Sequence, residues 1–396
     1  MLYDFHLGLA ADPKGEQIAF VLVKITYTFD QAGMLRMTDP EPLHNNIFDP
    51  NESPRLKPGC DFWPYKLATD IVVQGKAHAP MRRPIQSTTL SVHVGRYEKH
   101  ALVFGDRFVL YNGRQLRFSE PEPFESVDLT CYNAYGGVDW RVPIENEQSL
   151  VTQIRLQADH PGLYPRNPYG TGYVVLSDHE DVDGMELPNV EDPEDLLTPE
   201  RLITGDPRKW HLQPLPCIFD WQQGHVFPRC AFFGGADGWH PAPEDAVAEV
   251  RMGILPKNYR SIFNEQLTDR GPDPRFFNEA SSGLQVPYLK GDEKVLLRGF
   301  HPDGDINVQL LDGPPQIQIN IEGHKHKPQP RLHTLLIKPE DKRVCMLWAA
   351  HVRTPRMFIE GIHITIPIEC SINGGNPIAF KTPLPIAEAL KKAQNA

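Results

Sequence analysis

The chain has 396 residues, 40% hydrophobic and 23% charged, which is enough apolar material for one large domain or for two to three packed units. Its 51 acidic residues outnumber 40 basic ones, for a formal charge of −11. That balance argues against a general nucleic-acid binder, which needs a concentrated positive surface to neutralise phosphates.

Residues 1–10 lack a basic stretch followed by an apolar core and a small-residue cleavage site, so a secretory leader is not expected. No apolar run approaches the roughly 20 residues that cross a bilayer. A soluble, cytoplasmic product is the expectation, without direct membrane insertion. The six cysteines (Cys60, Cys131, Cys217, Cys230, Cys345 and Cys370) are dispersed without a CxxC pair. They read as buried thiols in a reducing compartment rather than as a disulfide framework.

Residues 18–29 read as a strand. Ala19, Val21, Val23, Ile25, Tyr27 and Phe29 share one side, while Lys24, Thr26 and Thr28 leave the other partly polar. A turn over residues 30–33 follows, with Gly33 able to adopt a left-handed conformation. Leu90, Val92 and Val94 alternate with Ser91 and His93, the pattern of a half-buried strand. Residues 101–104, a Gly105-Asp106 turn and residues 107–111 suggest an antiparallel hairpin, and a further turn is expected at Asn112-Gly113. Residues 112–208 are rich in proline, glycine and acid, and their internal order predicts a long packed connection rather than a disordered linker. Helices are sparse: residues 243–252, 259–267 and 386–393 are the candidates. Strand patterning returns with Ile317, Ile319 and Ile321, and again with Ile362, Ile364, Ile366 and Ile368. Between these rows, residues 333–337 and 344–350 flank a reversal at residues 339–342. The expected fold is mostly β: an antiparallel, sandwich-like core with a few peripheral helices. The expected division is a β-rich core over 1–235, a helical connection over 236–286 and a second β-rich portion over 287–396.

No local chemistry stands out. The glycine pairs lack a dinucleotide fingerprint or a phosphate-loop ending, so no cofactor is expected. His324 and His326 would share a strand face, but no third ligand is identifiable and no metal site is assigned. Neither a zinc-protease motif nor a nucleophile elbow occurs, and no catalytic residue is assigned. Bulky aromatics beside proline- or glycine-rich turns offer a different kind of site. Trp63, Tyr65, Tyr135, Trp140 and Tyr169 are the candidate anchors for a protein partner.

Several segments stand in order along the chain: residues 18–29 (IAFVLVKITYTF), 67–80 (LATDIVVQGKAHAP), 103–108 (VFGDRF) and 132–137 (YNAYGG). They continue with 167–173 (NPYGTGY), 187–191 (LPNVE) and 288–293 (YLKGDE). In this order, over about residues 15–312, the chain resembles the bacterial family called domain of unknown function 2169. The resemblance carries Thr69, Asp70, Gly75, Gly105, Asp106, Arg107, Gly136, Gly137, Asn167, Pro168 and Gly170 as signature positions, with a further block at residues 276–280 (FFNEA). Residues 281–285 (SSGLQ) depart from the family's compact Asn-Ala-Pro-Asp-Gln pattern. The family lies beside type VI secretion genes. The resemblance therefore implies an adaptor or chaperone that binds a secreted effector and a spike-tip protein, without covalent chemistry. A hydrolase acting on the cell envelope and an interaction protein outside secretion are the alternatives.

Overall fold

The computed structural model describes residues 3–12, 16–44, 59, 61–64, 66–143, 160–164, 166–221, 278–281, 283–311, 313–354, 358–359, 362–363 and 368–379. Among these the largest sheet has seven strands, in the order Asp4–Ala11, Gln17–Phe29, Arg343–Arg353, Arg331–Lys338, Thr69–Val73 and Gln285–Val286, with Leu35–Met37 added beside Gln17–Phe29. Within this sheet the pairings are antiparallel except one, in which Thr69–Val73 runs parallel to Arg331–Lys338. A second sheet orders Val190–Glu191, Tyr97–Phe104, Ser87–Val94, Lys294–Arg298 and Ile306–Gln309. A third contains His324–His326, Ile317–Ile321, Ile368–Ile372 and Ile378–Ala379. Helix among the described residues is limited to short 3-10 turns. The candidate helices at 243–252, 259–267 and 386–393 lie outside the described residues.

One continuous core joins all three sheets. Val21, Val23, Leu335 and Ile337 pack in the same cluster as Leu90, Val92, Val295 and Leu297 from the second sheet and Ile317, Ile319 and Ile321 from the third. Removing this apolar area from water stabilises the fold by roughly 25 cal/mol per Å². The division into portions 1–235 and 287–396 therefore does not separate two cores. Gln17–Phe29 pairs along its length with Arg343–Arg353, so Val23 lies opposite Trp348 across strands from the two ends of the chain.

The long strand Gln17–Phe29 is buried on both faces, not one. Phe20 and Leu22 pack with Leu347, Ala349, Leu43 and Phe62, so the loops around residues 43 and 62 cover the face read as partly polar. Lys24 is buried there, and its ammonium donates to Asp61 at 2.8 Å and to the Pro42 carbonyl at 3.1 Å. A buried lysine needs such partners because its isolated charge is costly to desolvate.

The turn after this strand forms as its residues require. Gly33 has φ +78°, and the Asp30 carboxylate accepts from the amides of Ala32 and Met34. The turn rests on the outer strand of the second sheet, so a Cβ added at Gly33 would lie 1.7 Å from the Asn307 carbonyl oxygen. Two shallow grooves flank it, of about 350 and 330 Å³. The hairpin at residues 338–343 also forms, with Lys342 donating to the Pro339 carbonyl.

The Gly105-Asp106 hairpin does not form. Tyr97–Phe104 pairs with Ser87–Val94 and Val190–Glu191, and the chain leaves the sheet at Gly105, whose missing Cβ would stand 1.8 Å from the Glu122 carbonyl oxygen. Val109–Tyr111 pairs instead with Leu116–Phe118 through the Asn112-Gly113 turn. The described part of 112–208 is packed. Val109, Tyr135, Tyr164, Tyr173, Leu187 and Trp210 belong to a second apolar cluster.

Candidate functional site

The loop entering Thr69–Val73 meets residues 278–280 and Arg331–Lys338 around a buried polar cluster. Lys66, Asp70 and Glu279 have fully buried side chains, and the Lys66 ammonium lies 2.7 Å from Asp70 and 3.7 Å from Glu279. The Asp70 carboxylate accepts four donors: Lys66 Nζ, the Glu279 amide at 2.8 Å, Asn278 Nδ2 at 2.9 Å and the Ala280 amide at 3.2 Å. Thr69 extends the cluster, donating to the Leu332 carbonyl and accepting from the Leu289 amide. Trp63 Nε1 donates to Glu279 at 3.2 Å, and the Trp221 ring lies 5.6 Å from the Lys66 ammonium. Such a network is stable only when its members are satisfied by one another.

His333 borders the cluster. Its Nε2 accepts from the Lys66 amide, and burial holds its pKa well below the usual histidine range. His6, His44, His160 and His351 are lowered too, each chiefly by burial. A histidine kept neutral in the fold gains a proton on unfolding once pH falls below its unfolded pKa, about 6.5. Unfolding free energy should therefore fall as pH drops below that value, by up to about 1.4 kcal/mol per pH unit for the fully buried His333 and by less for the more exposed rings. Urea melts between pH 7.5 and 5 measure this. A His333→Gln chain should show a shallower slope, and an unchanged slope would remove His333 from the account.

A second cradle gathers the glycine motifs. Asn167 Nδ2 donates to the carbonyls of Cys131 at 2.7 Å and Tyr135 at 3.1 Å. Tyr135–Gly136 pairs in parallel with Thr171–Gly172. A Cβ on Gly136 would meet the Asn167 carbonyl oxygen at 2.1 Å, and one on Gly170 would meet that of Ala134 at 2.5 Å, so the segments approach through their glycines. The Tyr135, Tyr164 and Tyr173 rings pack edge-on or tilted at 5.0–6.3 Å between centroids. Asn167→Ala removes donors from buried carbonyls and should cost about 1–3 kcal/mol, read as a lower urea midpoint; an unchanged midpoint would contradict this role.

Arg107 and Glu191 form a third buried group. The guanidinium contacts the Glu191 carboxylate, donates to the Pro188 carbonyl at 2.7 Å and lies 3.8 Å over the Phe104 ring. The other Glu191 oxygen accepts from the Leu197 amide at 2.7 Å. Burial raises the Glu191 pKa although Arg107 opposes the shift. Asp106 accepts from Asn189 at 3.0 Å, and Gly75 lies against Glu340 and Pro339. Pro168 occupies the turn within the glycine cradle.

The five candidate anchors do not share one environment. Tyr135 is 1% exposed and is a core residue, not a surface anchor. Trp63 is half-buried in the polar cluster, and Tyr169 is half-buried with its ring 6.1 Å from Tyr132. Tyr65 lies outside the described residues. Trp140 alone of the described four is strongly exposed, at 64%. Its turn is pinned: the buried Asp139 carboxylate accepts from the amides of Arg141, Val175 and Leu176 and from Arg141 Nε. Those bonds hold the Asp139 pKa down against burial. The His160 ring packs 4.8 Å from the indole, and exposed Leu176 is joined to the same turn. A rigid, exposed tryptophan loses little freedom on binding, which suits it to anchor a protein contact.

Neither groove beside the Gly33 turn is lined by a signature residue. Among the described residues no three His, Cys, Asp or Glu side chains are placed to hold a metal ion, and His324 and His326 sit exposed on an outer strand. Cys131, Cys217, Cys345 and Cys370 are free and buried, and burial pushes the Cys345 thiol up to about 11. No helix among the described residues is long and apolar enough to cross a membrane. Sequence reasoning missed Lys66, although a lysine four positions before a signature aspartate was a readable signal. A family model described as an uncharacterized protein conserved in bacteria matches residues 14–349. Comparisons with curated proteins and with solved structures return no match.

Proposed function

The chain belongs to the DUF2169 family, and from that membership we propose that it is an adaptor or chaperone that binds a secreted effector in the cytoplasm and aids its loading onto a type VI secretion spike. The observation that carries the reading is the division of labour among side chains. The signature residues hold loops on the core, while Trp140 stands exposed on a turn fixed by Asp139. A rigid surface of this kind recognises a partner by equilibrium binding, and binding a folded cargo stabilises that cargo by mass action. The spike-tip protein is the second partner in this reading.

The test begins with co-purification from the native bacterium, comparing the natural chain with Trp140→Ala. Truncating a central anchor costs about 2 kcal/mol or more, roughly a thirtyfold loss of affinity. The variant should lose its effector or spike partner while its thermal midpoint stays put. Deletion of the gene should lower effector abundance or secretion. Unchanged effector secretion after deletion, with no effector or spike protein retained, would defeat the proposal.

A further inference from the structure

The buried cluster around Asp70 has a chemical arrangement beyond what packing requires. One carboxylate bridges an amine and a carboxamide from distant parts of the chain. Asp70 Oδ2 lies 2.7 Å from Lys66 Nζ, and Asp70 Oδ1 lies 2.9 Å from Asn278 Nδ2. The carboxamide oxygen, Asn278 Oδ1, accepts from the Leu67 amide at 3.2 Å. Lys66, Asp70 and Asn278 are each at most 1% exposed. The site thus combines a nucleophile, a proton carrier touching both reacting nitrogens, an acyl group and a donor on the oxygen that would become negative. We propose that Lys66 and Asn278 join in an intramolecular amide bond, with Asp70 carrying the protons.

The step balances without a co-reactant. Asp70 takes a proton from the Lys66 ammonium, which frees the Nζ lone pair. Nζ attacks Asn278 Cγ, the new C–N bond forms, and the carbonyl electrons move onto Oδ1 against the Leu67 N–H. Donors held at a developing oxyanion are the usual means of lowering such a barrier. Collapse breaks the Cγ–Nδ2 bond. Asp70 relays two protons in turn from Nζ to Nδ2, so the nitrogen departs as ammonium and Asp70 is ionised again. Nothing is oxidised or reduced. Burial serves the step by keeping out water that would compete for the acyl group. The amine and the carboxamide share one carboxylate, Nζ on Oδ2 and Nδ2 on Oδ1, which holds both groups at the site.

The bond would tie the loop before Thr69–Val73 to the segment leading into Gln285–Val286, strands that are neighbours in the largest sheet. It would link groups whose hydrogen bonds already span more than two hundred positions of chain.

The test is intact mass spectrometry of the full chain in denaturant, followed by tryptic digestion. The natural chain should weigh about 17 Da less than its sequence requires, the mass of the ammonia lost. Acylated Lys66 resists trypsin, so residues 56–76 should appear uncut at Lys66 and joined to residues 276–290. Asn278→Ala and Asp70→Ala should each return the full sequence mass. A natural chain at its sequence mass, cleaved after Lys66, overturns the proposal whether or not the variants fold. So does a loss of about 17 Da without the branched peptide, which marks an asparagine closing on its own main chain. A loss of about 18 Da, placing the bond on a carboxylate, also overturns it.

Discussion

Arg107→Ala should lower the unfolding free energy by about 3–5 kcal/mol, because it leaves the Glu191 carboxylate buried without its cation. Glu191 is 3% exposed, and its remaining described partner is the Leu197 amide. The loss also strips a guanidinium from the Phe104 ring and a donor from the Pro188 carbonyl. Urea denaturation of the two chains measures it. The double variant Arg107→Ala with Glu191→Gln separates charge from packing. Neutral glutamine keeps the acceptor for Leu197 but carries no stranded charge, so the double variant should be more stable than Arg107→Ala alone. Equal stability would show that packing against Phe104, not the ion pair, sets the cost.

Gly33→Ala should cost about 2–4 kcal/mol, the sum of a left-handed conformation that Ala resists and an overlap that the structure must relax. The atom in the way is a backbone carbonyl, that of Asn307, so no side chain can swing aside. Gly113 offers the control. It also has positive φ, but nothing lies within 4 Å of an added Cβ. Gly113→Ala should therefore show the conformational cost alone, about 1–2 kcal/mol. Thermal midpoints that fall equally in the two variants would mean that the turn does not press on the outer strand.

The parts readable from sequence are those written in local pattern. Ile317, Ile319 and Ile321 alternate and are buried as the two-residue period requires. Of the second isoleucine row, Ile368 is buried, while the side chains of Ile362, Ile364 and Ile366 lie outside the described residues. The reversal at 339–342 and the turn ending at Gly33 were legible because their residues determine backbone conformation. The failed hairpin at Gly105 shows the limit, since a glycine accommodates a tight turn and a close approach equally well and only its neighbour, Glu122, decides between them. Covering of the Lys24 face was hidden for a similar reason. Its partner Asp61 lies in a loop whose position no periodicity encodes. The buried cluster had half a signature in Asp70 and Asn278, and Lys66 four positions before Asp70 was a local hint, but nothing local brings Glu279 to the same lysine.

The order of strands in the largest sheet also governs when the protein can fold. Gln17–Phe29 finds its longest partner in Arg343–Arg353, and Thr69–Val73 finds its parallel neighbour in Arg331–Lys338. Contacts so remote along the chain slow folding, since a large loop must close before any stabilisation is gained. During synthesis the amino-terminal strand emerges long before its partner, with an apolar face and unfilled backbone groups. The nascent chain therefore remains aggregation-prone until residues 343–353 have left the ribosome, and its yield in the cell should depend on general folding helpers more than its finished stability suggests.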